Sequence, residues 1–78
     1  MKVSYKKLWY LCVEREIGKA ELRKRTGLSS ATFTKLRRNQ EVNLYALLKI
    51  AEVMNCNAGD MMDFVPDDAV IEQEEPEK

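Results

Sequence analysis

The sequence predicts an all-α fold: one compact domain of five short helices. Apolar residues recur at helical spacing along most of the chain, and no run alternates between apolar and polar residues as a strand would. Residues 19–38, which read KAELRKRTGLSSATFTKLRR, have the layout of two short helices joined at a single glycine. A length of 78 residues leaves room for one small core.

The first helix is expected to begin at Ser4, whose hydroxyl can cap it, and to end before Gly18. Either both apolar faces of this helix are buried, one of them against a partner, or Trp9 lies flat on the edge of the core. We favour the second interpretation, because singly exposed aromatic side chains are ordinary. The two faces follow helical spacing and comprise Leu8, Leu11, Cys12 and Ile17 on one, and Tyr5, Trp9 and Val13 on the other.

The second and third helices are predicted over residues 19–25 and 30–38. Gly27 can adopt the left-handed backbone conformation that ends the first of the two, and Ser29 can cap the next. The side chains expected to face the core are Leu22, Phe33 and Leu36.

Asn43 is expected to cap a fourth helix, Asn55 to end it in the left-handed conformation, and Asn57 to cap a short fifth helix with Asp60 in its first turn. The predicted inward stripe of the fourth helix is Leu44, Leu47, Leu48, Ala51 and Met54. The residues expected to close the core after it are Met61, Met62 and Phe64.

Charge divides the chain in two. Residues 1–40 hold eleven Lys or Arg against three Glu, a net charge of +8, whereas residues 41–78 have a net charge of −8. The first part is as basic as a nucleic-acid-binding module, although the whole chain is neutral. We expect a domain over residues 1–66 and an acidic, disordered tail over residues 67–78.

The composition of the chain argues against several classes of protein. No stretch is long and apolar enough to cross a bilayer or to serve as a signal peptide, which predicts a soluble, cytoplasmic protein. The chain has no His, and Cys12 and Cys56 stand alone, so we expect no metal and no cofactor, and two cysteines that act as small apolar residues. No phosphate-binding loop or nucleophile beside a base is present, so an enzyme is not expected.

The chain resembles the Cro/repressor-type (XRE-type) helix-turn-helix family, the DNA-binding domains of phage repressors and bacterial regulators. The similarity covers residues 8–65 and is carried by KAELRKRTGLSSATFTKL, the loop RNQEVN and the segment LYALLKIAEVMNCNAGDMM. The resemblance implies five helices, double-stranded DNA as the partner, a regulatory role, and commonly a homodimer on DNA.

Three features of the sequence depart from the family pattern. Gly18-Lys19 stands where Thr-Gln or Ser-Gln is usual. Arg23 replaces a small residue, so either its charge reaches water past the helix contact or the helices cross differently. Cys12 and Arg37 stand where many members pair an Arg with a Glu, and both partners of that pair are absent together.

Helical spacing and the resemblance together assign base contacts to the outer face of the third helix. Lys35 could donate to guanine, Thr34 offers a hydroxyl or a methyl group, and Ala31 could meet a thymine methyl. The alternative is that these are ordinary exposed helix residues. The predicted base-contacting residues are Ser30, Ala31, Thr34 and Lys35.

Phosphate contacts are expected at both ends of the motif, where the amides at the start of the second helix also favour anions. Other cations nearby, Arg23, Lys24, Arg25 and Arg37, can equally form a solvated face. The predicted phosphate-contacting residues are Lys19, Ser29, Arg38, Asn39 and Gln40.

A dimer surface is predicted at the fifth helix and its exit, with the alternative that these residues all serve the core. The candidates are Met61, Met62, Phe64 and Val65. The same surface motivates a second function, a protein-interaction module of antitoxin or small-inhibitor type. The acidic tail could fold back onto the basic face, although a solvated tail is the simpler interpretation.

Overall fold

Five helices and a two-stranded sheet make up the computed structural model, which describes residues 1–68. The predicted fold class is confirmed, and the second and third helices end within one residue of their expected positions. The ten C-terminal residues of the predicted tail lie outside the described part. In chain order the elements are β1 (Lys2–Ser4), α1 (Lys6–Glu14), α2 (Lys19–Thr26), α3 (Ser30–Arg37), α4 (Leu44–Met54), α5 (Ala58–Met61) and β2 (Asp63–Val65).

The sheet corrects the expectation that the chain has no strand. β1 and β2 pair antiparallel, with Lys2 opposite Val65 and Ser4 opposite Asp63. Each strand has three residues, too few for an alternating pattern to be visible. Ser4 therefore belongs to β1, and α1 starts after Tyr5, so the helix begins later than predicted. The predicted capping role of the Ser4 hydroxyl is kept, since this oxygen accepts the Lys6 N–H at 3.4 Å.

The predicted helix ends between α2 and α4 are confirmed. Gly27 has a φ of 71° and donates its N–H to the Arg23 carbonyl at 2.9 Å. The Ser29 hydroxyl accepts the Thr32 N–H at 3.1 Å. The Asn43 side chain caps α4 in the same way, accepting the Ala46 N–H at 2.9 Å. Asn55 ends α4 with a φ of 52°.

Trp9 is a core residue, contrary to the interpretation we favoured. Only 4% of it is exposed, and its ring meets the Phe33 ring edge-to-face, with 5.8 Å between centroids. The reason is that Phe33 of α3 packs against Trp9 on the second apolar face of α1. Tyr5 is buried on the same face, whereas Val13 is 36% exposed.

The inward stripe of α4 also differs from the prediction. Ala46, Ile50 and Met54 are buried at four-residue spacing, while Leu44 and Leu48 are 69% and 59% exposed. Most residues in the first two turns of α4 are apolar, so helical periodicity alone does not identify the buried face.

Tyr5 forms hydrogen bonds with the segment that follows α3. Its backbone N–H donates to Asn39 Oδ1 at 2.9 Å, and its hydroxyl donates to the Gln40 carbonyl at 2.8 Å. Burial raises the pKa of this hydroxyl. Asn39 has a φ of 58°, a conformation that Asn tolerates better than most residues. The end of α3 is therefore tied to the start of α1.

Within residues 1–68, no helix has both the length and the apolar character that crossing a membrane requires. Both cysteines are free thiols, with Cys12 buried and Cys56 half-buried.

Candidate nucleic-acid interface

The outer face of α3 is open to solvent. Phe33 and Leu36 hold the helix from within, with 6% and 0% of their surface exposed. The four predicted base-contacting residues lie on the opposite side of these anchors, and all four are exposed: Ser30, Ala31, Thr34 and Lys35. A rigid partner can therefore reach this face without any rearrangement of the core.

Arg23 turns outward from α2 rather than into the helix contact. Its side chain is exposed, and a terminal nitrogen of its guanidinium donates to Ser30 Oγ at 2.6 Å. This is the first of the two arrangements considered for Arg23, in which the charge reaches water. The bond joins α2 to the first residue of α3 across the turn.

Lys19, the first residue of α2, is held by an aromatic ring. Its ammonium lies 5.8 Å from the centre of the Trp9 ring, which in turn contacts Phe33 on α3. A cation over the face of Trp is attracted by the charge distribution of the ring. Trp9 therefore contacts both a predicted phosphate-contacting cation and the helix that carries the predicted base contacts.

A cleft of about 260 Å³ separates the outer sides of α2 and α3. Three cations and two hydroxyl groups face it, and no carboxylate is among its described lining residues. Such a lining suits an anion or the polar edge of a base. The lining residues are Lys19, Ala20, Arg23, Ser30, Phe33, Thr34 and Arg37.

The predicted phosphate-contacting residues fall into two groups. Lys19, Arg38 and Gln40 have side chains that solvent reaches. The Ser29 hydroxyl accepts the Thr32 N–H and donates to the Thr32 hydroxyl, and the side-chain oxygen Oδ1 of Asn39 accepts the Tyr5 N–H. The side chains of Ser29 and Asn39 therefore hold the local backbone in place.

Cations elsewhere on α2 differ in their surroundings. Arg25 forms an ion pair with Glu21 one turn away, at 2.7 Å. Lys24 is exposed and does not line the cleft. Arg23 is therefore distinguished from its two basic neighbours by its bond to α3.

Acidic residues at or next to the start of the predicted tail pair with basic groups outside the α2–α3 cleft. Asp63 pairs with Lys7 at 3.2 Å, and Asp67 pairs with the N-terminal amino group at 3.0 Å. The start of the predicted tail thus runs beside β1. Its course beyond Asp68, including any return to the basic face, lies outside the described residues.

The four predicted dimer residues are not equivalent. Met61 is 1% exposed and serves the core, whereas Phe64 is 66% exposed. Met62 and Val65 are half-buried. A second apolar surface lies on α4 and consists of Leu44, Tyr45 and Leu48. Of these, Leu44 and Leu48 were predicted to face the core.

Sequence reasoning missed the roles of Trp9 and Arg23. A signal for Arg23 was present, since a long cation stands where the family usually has a small residue. The direction of its guanidinium depends on the Ser30 hydroxyl, which is seven positions away in sequence. Trp9 carried no comparable signal, because its contact with Lys19 depends on the packing of α1 against α2.

Comparisons with known proteins agree with this geometry. The crystal structure of the transcriptional regulator VanUg superposes with a TM-score of 0.83 at 45% sequence identity, covering 85% of this chain and 88% of that one. No protein with a curated description gives a significant match. The family model of the Cro/C1-type helix-turn-helix DNA-binding domain matches residues 7–67.

These matches confirm the resemblance inferred from residues 8–65. The family is one of DNA-binding domains, in agreement with the expectation that this protein is not an enzyme. The chain belongs to the Cro/C1-type helix-turn-helix DNA-binding domains.

Proposed function

We propose that this protein is a sequence-specific transcriptional regulator that inserts α3 into the major groove of double-stranded DNA. The observation that carries the proposal is the exposed outer face of α3, which Phe33 and Leu36 hold from behind. The major groove admits a helix and presents a distinct hydrogen-bonding edge for each base pair. The name of VanUg, a transcriptional regulator, supports the regulatory role.

Base contacts come from Ser30, Ala31, Thr34 and Lys35, which share the exposed face. Lys35 donates to the acceptors of guanine, and Thr34 and Ala31 offer small groups that approach base edges closely. Each well-placed contact discriminates by about 1–3 kcal/mol against the wrong base.

Phosphate contacts flank the base contacts. Lys19 and the amides at the start of α2 hold one phosphate, and Arg38 and Gln40 hold the backbone beyond the other end of α3. Ser29 and Asn39 contact phosphates through their backbone groups, because their side-chain oxygens bond to Thr32 and Tyr5. If five phosphates are neutralised per subunit, log affinity falls against log salt with a slope of roughly −4 to −5.

Two copies bind adjacent half-sites, because one small domain rarely binds tightly alone. We place the contact between copies at Phe64, with Met62 and Val65 beside it. Half-sites then lie roughly 34 Å apart, one helical turn of DNA. The variant Phe64→Ser should weaken dimer formation on DNA in sedimentation experiments, and Leu48→Ser on α4 is the matched control. Loss of the dimer with Leu48→Ser alone would move the contact to α4.

The direct test is selection of bound duplexes from a random pool, followed by affinity measurements. We expect one enriched sequence, with Lys35→Ala and Thr34→Ala each weakening binding to it about tenfold. Lys24→Ala, an exposed α2 cation outside the cleft, should leave the selected sequence unchanged. A pool with no enriched sequence would contradict the proposal.

A protein-interaction module remains the second candidate, favoured by the exposed Phe64 side chain. The two functions predict different effects of the Lys35 and Arg38 variants. If Lys35→Ala and Arg38→Ala leave the cellular activity intact while Phe64→Ala abolishes it, the interaction module is the better account. A DNA-binding regulator loses activity with Lys35→Ala and Arg38→Ala, and also with Phe64→Ala to the extent that it needs the dimer. It acts in the bacterial cytoplasm or nucleoid or in a phage-infected host.

A further inference from the structure

We propose that Arg23, a residue of α2, recognises a guanine base together with Ser30 of α3. This inference rests on the DNA-binding function proposed above and extends its set of base contacts beyond α3. Its basis is the 2.6 Å hydrogen bond from the Arg23 guanidinium to Ser30 Oγ.

The bond brings a guanidinium to the start of the recognition helix. Ser30 is the first residue of α3, and the N-terminal part of a recognition helix is the part that approaches base edges. Arg23 and Ser30 also share the cleft that Thr34 lines. Arg23, although it belongs to α2, therefore lies beside the residues of α3 that are proposed to contact bases.

Guanidinium chemistry suits guanine at this position. The group carries five N–H donors in one plane, of which the Ser30 hydroxyl takes one. Guanine presents two acceptors, O6 and N7, side by side in the major groove, and a paired contact from arginine is the most common specific contact. Because the hydroxyl already orients the guanidinium, less side-chain freedom is lost on binding.

A phosphate contact is the competing role for this cation. Lys19, held by Trp9 at the start of α2, already supplies a cation where a helix N-terminus favours phosphate. The bond to Ser30 directs Arg23 instead toward a predicted base-contacting side chain. The two roles differ in their effect on sequence preference, since a phosphate contact carries no sequence information.

The experiment measures binding to every single-base-pair variant of the selected duplex, for the wild-type protein and for Arg23→Ala, Arg23→Lys and Lys24→Ala. We expect the wild type to prefer guanine at one base pair by on the order of 10- to 100-fold. Arg23→Ala should reduce that preference to near unity and leave preferences at the other base pairs unchanged. Arg23→Lys keeps the charge but lacks the planar pair of donors, so it should restore affinity more than preference.

Lys24→Ala should keep the guanine preference, whatever its effect on affinity. Thermal unfolding of each variant verifies the fold, which should persist because the Arg23 and Lys24 side chains are exposed. Ser30→Ala should lower the same preference, since the guanidinium loses its orienting partner.

Two results would overturn this inference alone. Arg23→Ala could weaken binding equally at all base pairs, which marks a phosphate contact, or it could leave every preference unchanged. A wild-type protein that selects no sequence at all would remove the proposed function first, and this inference with it.

Discussion

Two regions of this small domain expose different kinds of surface. The basic region, residues 19–40, contains α2 and α3 and has seven Lys or Arg and one Glu between residues 19 and 38. The apolar-faced region, residues 44–65, contains α4, α5 and β2. Among the described residues, the large exposed apolar side chains of these two regions all belong to the second: Leu44, Tyr45, Leu48 and Phe64.

The comparison shows how few buried side chains are needed to hold the basic region in place. Leu22, Phe33 and Leu36 bury the inner sides of α2 and α3, and their outer sides remain free for polar and basic groups. The apolar-faced region has more apolar residues than its core uses. Contacts of the basic region should therefore depend on charge and hydrogen bonds, and contacts of the apolar-faced region on buried area.

The largest expected effect is a difference in stability between a variant at a buried leucine of α3 and a variant at an exposed leucine of α4. Leu36→Ala, at a fully buried position of α3, should lower the free energy of unfolding by about 2–5 kcal/mol. Leu48→Ala, at a mostly exposed position of α4, should change it by about 0.5 kcal/mol or less. Urea denaturation followed by circular dichroism measures both. Equal losses would mean that the two helices are not packed as described.

The second effect concerns salt. Raising the salt concentration from 50 to 200 mM should weaken duplex binding on the order of 10² to 10³-fold for each bound subunit, because several phosphate contacts release counterions. Self-association through Phe64 should change little over the same range, since it buries apolar surface. Fluorescence anisotropy and sedimentation give the two values. A salt-insensitive duplex affinity would contradict the role assigned to the basic region.

A third, smaller effect tests the turn between α2 and α3. Gly27→Ala should destabilise the fold by about 1–2 kcal/mol, because its positive φ strains any residue with a Cβ even where space is open. Gly59→Ala is the matched control: it also meets open space, but within α5, and should not destabilise. Unchanged stability of the Gly27→Ala variant would indicate that other residues determine the conformation of the turn.

The smallest effect compares the two thiols. Burial raises the pKa of both Cys12 and Cys56, which lowers the thiolate fraction at neutral pH. Cys12 is also shielded from reagent in α1, so iodoacetamide should modify Cys56 first, and both rates should increase with pH. Mass spectrometry of partly alkylated protein gives the order. Faster reaction at Cys12 would show that α1 opens readily.

The basic region could be predicted from sequence in most details. Gly27 and Ser29 define the turn, and with so few apolar residues in α2 and α3 only one inner face is available. The same reasoning failed on α4, where apolar residues surround much of the first two turns and Ile50 rather than Leu48 faces the core.

Long-range contacts were beyond sequence reasoning for a different reason. The pairing of β1 with β2 joins the two ends of the domain, and neither three-residue strand signals its partner. The Trp9 contacts and the Arg23 bond to Ser30 likewise depend on how helices pack. The exposed outer face of α3 is a property of one helix, so the residues proposed to contact bases could be predicted from spacing and resemblance.

The central claim is that α3 is the surface that meets DNA, and amide chemical shifts test it most directly. Titration of ¹⁵N-labelled protein with the selected duplex should shift amides of α2, α3 and residues 38–40, and leave the middle of α4 unchanged. Shifts confined to α4 and β2, with α3 unaffected, would contradict the account.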